Sequence, residues 1–314
     1  MDNKHIVIAG GSGFMGSAMA ARWGRNNRVT VLTRNIAGAA NNSYVPMPGH
    51  AAANMVKWDG KTIGDWINAL EGCDVLINLT GRTVNCRYTV QNKAEIINSR
   101  VNATCVLGLA INQLKAPPKL WINGASATIY RHAEDRPQDE YTGEIQDDFS
   151  VQVCKRWEAA FNAATVPYTR KAILRTAIVL GSGGVLVPYG RLARLGLGGP
   201  QGSGRQMFSW VHLDDVCGII EWLYEHDGQS GVYNVCAPQP VTNNVFMKCV
   251  REALHVPFGL PAPAWLLKMG AAIIGTEPEL LLKSRWVIPV RLQQEGYEFK
   301  YPELGGALAD ILSK

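Results

Sequence analysis

His5-Ile6-Val7-Ile8-Ala9-Gly10-Gly11-Ser12-Gly13-Phe14-Met15-Gly16 is the stretch on which the reading of the fold turns. A short apolar run leads straight into glycines spaced three apart at 10, 13 and 16, and beyond them Met15, Met19 and Trp23 recur every four residues. The first pattern is a buried strand and the second is one face of a helix, which leaves the glycines as the turn between them. Each glycine has its own reason. Gly10 permits the tight turn, Gly13 lets backbone approach a phosphate without an intervening side chain, and Gly16 lets the helix lie close to the sheet. An anion placed there meets exposed amides and the positive end of the helix dipole. Glycine-rich turns also occur as plain connections; the strand before this one and the helix after it favour binding.

Asn26 and Asn27 break the helix, and residues 28–33 read as a second strand, which closes a β-α-β unit of the expected length. The residues at its end distinguish two dinucleotides. A carboxylate at that point hydrogen-bonds a ribose 2′-hydroxyl, whereas this chain has Thr33-Arg34. A guanidinium pairs bidentately with a 2′-phosphate and stacks on adenine, and no carboxylate stands there to repel it. The expected cofactor is therefore NADP, with Gly10, Ser12, Gly13, Phe14, Met15 and Gly16 at its pyrophosphate and Thr33 and Arg34 at its adenosine end.

Strand and helix patterns continue to alternate: strands at 55–58, 74–79, 120–124 and 168–175, and helices at 63–70, 89–114 and 149–164, the second of these stopped by Pro117 and Pro118. Such alternation implies an α/β fold, a Rossmann-type doubly wound parallel sheet. After Gly181 the chain becomes glycine-rich and reads as irregular, a helix follows His212, a strand covers 232–235, and the remainder from Val241 reads as mostly helical. We therefore expect a dinucleotide-binding domain over 1–180 with 207–240 returning to it, and a smaller, mainly helical C-terminal substrate lobe formed by 181–206 and 241–314.

The 314 residues, 47% of them hydrophobic, suffice for a large core. The formal charge of +5 is dispersed without a basic run, which gives no reason to expect nucleic acid. Seven cysteines form no C-x-x-C pair and an odd number fits a disulfide framework poorly, so a reducing compartment is expected. No stretch has the apolar length of a membrane span, and the first strand starts too near Met1 for a signal peptide to precede it. A cytoplasmic protein without nucleic-acid or membrane partners is the expectation; nothing in the sequence sets its oligomeric state.

The glycine turn, Val75-Leu76-Ile77-Asn78-Leu79-Thr80-Gly81, Gly124-Ala125-Ser126-Ala127-Thr128-Ile129-Tyr130 and His212-Leu213-Asp214-Asp215 together resemble the extended short-chain dehydrogenases/reductases, whose best-known members are sugar-nucleotide epimerases. Asn98-Ser99-Arg100-Val101-Asn102-Ala103-Thr104, Cys154-Lys155-Arg156-Trp157-Glu158, Leu195-Gly196-Leu197-Gly198-Gly199-Pro200 and the tail over 261–301 are similar to an atypical branch, the epimerase family proteins. The resemblance implies that Leu79, Thr80 and Gly81 pass beneath the nicotinamide ribose and that Asp59 approaches the adenine.

It also implies a catalytic set. In the parent family a Tyr relays a proton, a Lys four residues later lowers its pKa and binds the nicotinamide ribose, and a Ser orients the substrate oxygen. Ser126 matches the serine and Lys155 the lysine, but Val151 stands where the tyrosine belongs. Valine cannot exchange a proton. Tyr130, His132 and Tyr141 are nearby in sequence, although Tyr130 also fits a packing role and His132 a surface one. Ser126 could equally be a hydrogen-bonded strand end and Lys155 a helix-surface charge. Arg82, Asn85, Arg87, Arg205 and Gln206 would suit an anionic small molecule, or would be ordinary solvated loop residues. Helix capping accounts for at least one of Asp214 and Asp215. No zinc-ligand spacing, nucleophile elbow or carboxylate pair argues for hydrolysis. Two readings stay open: an NADP-dependent oxidoreductase or epimerase-like enzyme, and a catalytically inactive NADP(H)-binding regulator or scaffold.

Overall fold

Ile6 and Ile8 face one side of the first strand, β1 (His5–Ala9), and Val7 and Ala9 the other, and all four are fully buried. A strand with both faces apolar must be covered on both, which is the condition of a central parallel strand. The computed structural model, which describes residues 1–36, 53–267, 269, 277 and 282–312, meets that condition with helices on each side. After β1 come α1 (Phe14–Trp23), β2 (Arg28–Thr33), β3 (Asn54–Lys57), β4 (Val75–Asn78), α2 (Val90–Ile111), β5 (Leu120–Ser126), α3 (Phe149–Ala163) and β6 (Arg170–Thr176). Then follow β7 (Ile178–Leu180), α4 (Leu186–Arg194), β8 (Met207–Phe208), β9 (Trp210–His212), α5 (Leu213–Glu225), β10 (Gly231–Val235), β11 (Val241–Thr242), α6 (Asn243–Ala253), α7 (Val290–Gln294) and α8 (Leu304–Leu312).

The main sheet has seven strands in the order β10-β6-β5-β4-β1-β2-β3, and every pair in it is parallel. Strand order reverses between β1 and β4, so the loops leaving their carboxyl ends diverge and open a crevice there. Met19 and Trp23 of α1 and Ile219, Ile220 and Leu223 of α5 cover one face. Ala103, Val106 and Leu107 of α2 and Phe161 of α3 cover the other, where Phe161 meets Trp121 edge to face with centroids 4.5 Å apart. The fold is the doubly wound α/β arrangement expected from the alternation.

A separate apolar cluster joins Leu186 and Tyr189 of α4, Phe208 of β8, Phe246 and Val250 of α6, and Ala307 and Leu308 of α8. Two element readings change. The glycine-rich stretch after Gly181 contains α4, whose buried face of Leu186, Tyr189 and Ala193 the dense surrounding glycines mask. Residues 63–70 form a short 3-10 turn (Asp65–Ala69) in place of a full helix. In the tail, α6, α7 and α8 are helical, while 270–276 and 278–281 lie outside the described residues.

Candidate functional site

The glycine turn sits at the reversal point. Gly10 has φ +77°, a conformation natural to glycine, and a Cβ there would lie 2.9 Å from the backbone of Leu79 and Thr80. The β1 turn and the segment after β4 are thus pressed together. A Cβ on Gly16 would fall 2.4 Å from Gly11 Cα, so Gly16 is needed for packing. Gly13 differs. Its φ of −82° suits any residue, and a Cβ would meet nothing nearer than 3.8 Å. Nothing in the protein demands glycine at 13; close approach of a ligand to the exposed backbone would. No side chain caps α1 and its first turn carries no acid, which leaves its positive end available.

Phe14 and Met15 turn away from that opening. Met15 packs on the sheet core, and the Phe14 ring fills the space beside Gly181, Gly183 and Gly184, where added Cβ atoms would lie 2.9–3.0 Å from it. These glycines give the ring its seat, a role the sequence reading missed. Ser12 is half-buried in the turn.

A cavity of about 530 Å³ opens beyond β2 and β3 and is lined by Arg34, Trp58, Asp59, Lys61, Thr80, Gly81, Arg82, Ser99 and Asn102 among others. Arg34 is exposed and pairs with no carboxylate among the described residues. Thr33 is buried beside it. Asp59 accepts hydrogen bonds from the Lys61 amide (2.8 Å), the Thr62 amide (2.9 Å) and the Thr62 hydroxyl (2.6 Å). Those bonds, that of the Thr62 hydroxyl foremost, hold its carboxyl down at about 2. Thr80 Oγ1 is sealed from solvent and has no hydrogen-bond partner among the described residues, an orphaned group that a bound molecule would satisfy. Its backbone is fixed by Asn78, whose Oδ1 accepts the Thr80 amide (3.1 Å) and whose Nδ2 donates to Asn123 (2.8 Å) and Thr104 (3.0 Å). This buried network, together with Trp58, Lys61, Ser99 and Asn102, was not anticipated; the polar run at 98–102 inside an otherwise half-apolar helix was its one sequence signal.

Ser126 ends β5, and its Oγ accepts the Thr128 amide (3.2 Å). Lys155 lies on the exposed side of α3 and its Nζ donates to Asp147 (3.2 Å). Val151 is fully buried in a cluster with Ala127, Tyr130, Cys154, Cys236 and Val287. The three aromatic and imidazole alternatives are all engaged. Tyr130 is buried, donates to Asn234 (2.9 Å) and accepts from Arg175 (2.9 Å), and burial raises its pKa. Arg175 is itself clamped by both oxygens of Glu158 at 2.8 Å. His132 accepts the Ser284 amide at Nδ1 (3.0 Å), and Tyr141 is exposed and donates to Gln294 (3.3 Å).

Of the other polar residues, Arg82 pairs with Glu95 and donates to Asn92 (2.9 Å), Arg87 lies 3.9 Å from Glu277, and Asn85 is exposed. Gln206 is buried and donates to the Gln201 carbonyl (2.7 Å), tying its own loop, while Arg205 is exposed. Capping at α5 falls to another residue than expected: His212 Nδ1 accepts the Asp214 amide (3.0 Å). Asp215 instead accepts the Lys300 (2.7 Å) and Tyr301 (3.0 Å) amides, because a buried carboxylate reaching the C-terminal segment satisfies two backbone donors there.

A seven-stranded parallel sheet with an uncapped helix at its reversal point and a cavity beyond β2 defines the class: a Rossmann-type dinucleotide-binding protein. Residues 6–236 match the NAD dependent epimerase/dehydratase family, and the chain belongs to that family. Residues 262–311 match DUF1731, a domain of unknown function. The epimerase family protein SDR39U1 of Mus musculus is 32% identical, over 98% of this chain and 99% of its own. Among solved structures, human epimerase family protein SDR39U1 (isoform 2) with NADPH is similar at a TM-score of 0.83 and 30% identity, covering 98% of this chain and 99% of that one. A nucleoside-diphosphate sugar epimerase from Corynebacterium glutamicum is similar at a TM-score of 0.73 and 27% identity, over 99% of this chain and 58% of that one. Among the described residues no helix is long and apolar enough to cross a membrane.

Proposed function

We propose that this chain binds NADP(H) in the crevice between β1 and β4 and acts as an atypical short-chain oxidoreductase or epimerase-like enzyme on an anionic small molecule. One observation carries the cofactor reading: Gly13 has room for a side chain yet bares the amides at the start of α1, while Arg34, free of any acidic partner among the described residues, faces the cavity beyond β2. The first feature suits a pyrophosphate and the second a 2′-phosphate. NADPH in the human relative's structure supports the same choice. Bound there, the cofactor supplies a hydride donor or acceptor. Thr80 and Gly81 border it, and Ser126 at the end of β5 is the hydroxyl offered for orienting a substrate oxygen.

A second reading is favoured by Val151. The position expected of a proton-relaying tyrosine is occupied by a packed methyl pair, and Tyr130, His132 and Tyr141 are committed elsewhere. On that reading the chain binds NADP(H) without turning it over, as a regulator or scaffold. Stopped-flow and steady-state assays of NADPH oxidation against carbonyl and sugar-nucleotide panels separate the two. Turnover lost on Ser126→Ala supports the enzyme; tight NADPH binding with no oxidation across the panel supports the inactive module.

A further inference from the structure

The segment after β4 is pressed from two sides. Gly10 lies against Thr80, and a Cβ on Gly81 would fall 2.8 Å from Arg100 Cζ, 3.0 Å from Nη2 and 3.1 Å from Nε. A guanidinium occupies the space a side chain at position 81 would take and would have to shift to admit one. Arg100 rises from the middle of α2 and lies over the Trp157 ring of α3, 5.1 Å from its centroid. Its Nη1 donates to the carbonyls of Ile96 (2.9 Å) and Arg82 (3.0 Å). Among the described residues, Nε and Nη2 donate to no acceptor and no carboxylate pairs with the group.

The buried Arg175 behaves differently: Glu158 neutralises it. Arg100 is half-buried with no counter-charge among the described residues, a costly state for a cation, and burial lowers its pKa. Directly beside Gly81, the buried Thr80 Oγ1 has no hydrogen-bond partner among the described residues. The fork of Arg100 and the hydroxyl of Thr80 flank one glycine whose neighbour is pressed on the phosphate-binding turn. An anionic oxygen placed there answers both.

We propose that Arg100 is an anion-binding residue of the dinucleotide site, with Nε and Nη2 taking a pyrophosphate oxygen from the side opposite the start of α1. The inference rests on the NADP(H) reading above. The pyrophosphate is then held between backbone amides of α1 and a side-chain cation from α2, and the Trp157 face keeps that cation in place while the site is empty of anion. A guanidinium so placed also anchors Arg82 through its carbonyl, which links binding to the order of the loop after Gly81.

The test is calorimetric titration of wild type, Arg100→Met and Arg100→Lys with three probes. Adenosine 2′-phosphate reports the adenosine end alone, 2′-phospho-ADP-ribose adds the pyrophosphate, and NADPH adds the nicotinamide. Expected for Arg100→Met is a Kd raised about tenfold or more for both pyrophosphate-bearing probes, with adenosine 2′-phosphate unmoved. Arg100→Lys, which keeps charge and stem but not the fork, shows the same pattern by a smaller factor and stands in should the Met variant fail to fold. Weakening of NADPH alone, equal weakening of all three probes, or no change in any of them overturns the proposal. Wild-type protein that binds none of the three overturns the dinucleotide reading and this one with it, whereas intact wild-type binding with an unmoved variant overturns this one alone.

Discussion

Val151 shows how one side chain separates a fold from its usual chemistry. It is fully buried among Ala127, Tyr130, Cys154, Cys236 and Val287, so the volume a tyrosine ring would need is already filled. Val151→Tyr is therefore expected to destabilise the protein by about 1–3 kcal/mol through overpacking, read as a lower urea midpoint, and to add no NADPH oxidation beyond that of the wild type. Recovery of activity with unchanged stability would contradict it. Arg34 makes the opposite kind of prediction, since it is exposed and has no acidic partner among the described residues. Arg34→Ala should weaken NADPH by about 1.5–3 kcal/mol, leave NADH nearly unmoved and so erase most of the preference between them. Titration of both nucleotides against both proteins decides it.

The start of α5 and the strand β1 carry their own consequences. His212 caps α5, and the next acid but one, Asp215, holds two amides of the C-terminal segment at 2.7 and 3.0 Å. Asp215→Asn turns one acceptor oxygen into a donor facing an amide. It should cost about 1–3 kcal/mol of stability without moving the NADPH Kd, which a melt and a titration on the same sample would show. In β1, the His5 imidazole accepts from Arg28 at Nδ1 (2.6 Å) and lies 3.3 Å from the Thr30 hydroxyl at Nε2. Burial first, then the Arg28 charge, lower its pKa from 6.5 to about 4. The unfolded chain therefore binds this proton more readily than the folded one. Stability from His5 is complete above pH 6.5 and is lost as pH falls from 6.5 toward about 4. Replacing it by Gln should flatten the wild-type decline in melting temperature over that window; an identical slope would show that other groups carry it.

Across the whole molecule, one segment of the C-terminal region is bonded both to the start of β8 and to the turn after β5. The Ser284 amide donates to His132 and its hydroxyl accepts the Met207 amide (2.8 Å), Lys283 donates to the Thr128 carbonyl (3.2 Å) and Asp148 (2.8 Å), and the Arg285 Nε donates to the Thr128 hydroxyl (3.2 Å). The turn after Ser126 is therefore held by residues more than 150 positions away. Because the proposed ligand binds only the folded state, NADPH at a hundred times its Kd should add about 2.7 kcal/mol and raise the melting temperature by several degrees. NADH at the same concentration should give a smaller shift, and equal shifts would count against Arg34 as the selector.

The parallel sheet, its first β-α-β unit and the glycine turn were legible along the chain, because alternating apolar runs and glycines at three-residue spacing are local and report local backbone needs. Helix α4 was hidden, since glycines crowd its flanks and its apolar face makes sense only against α6 and α8. The seat of Phe14 between three glycines, Arg100 against Gly81, the orphaned Thr80 hydroxyl and the capping swap between His212 and Asp215 involve partners far apart in the chain. Periodicity carries no trace of such meetings. Local pattern tells which backbone shapes a chain can take, whereas burial and charge neutralisation depend on which distant groups arrive at the same place, and that is settled only when the layers pack.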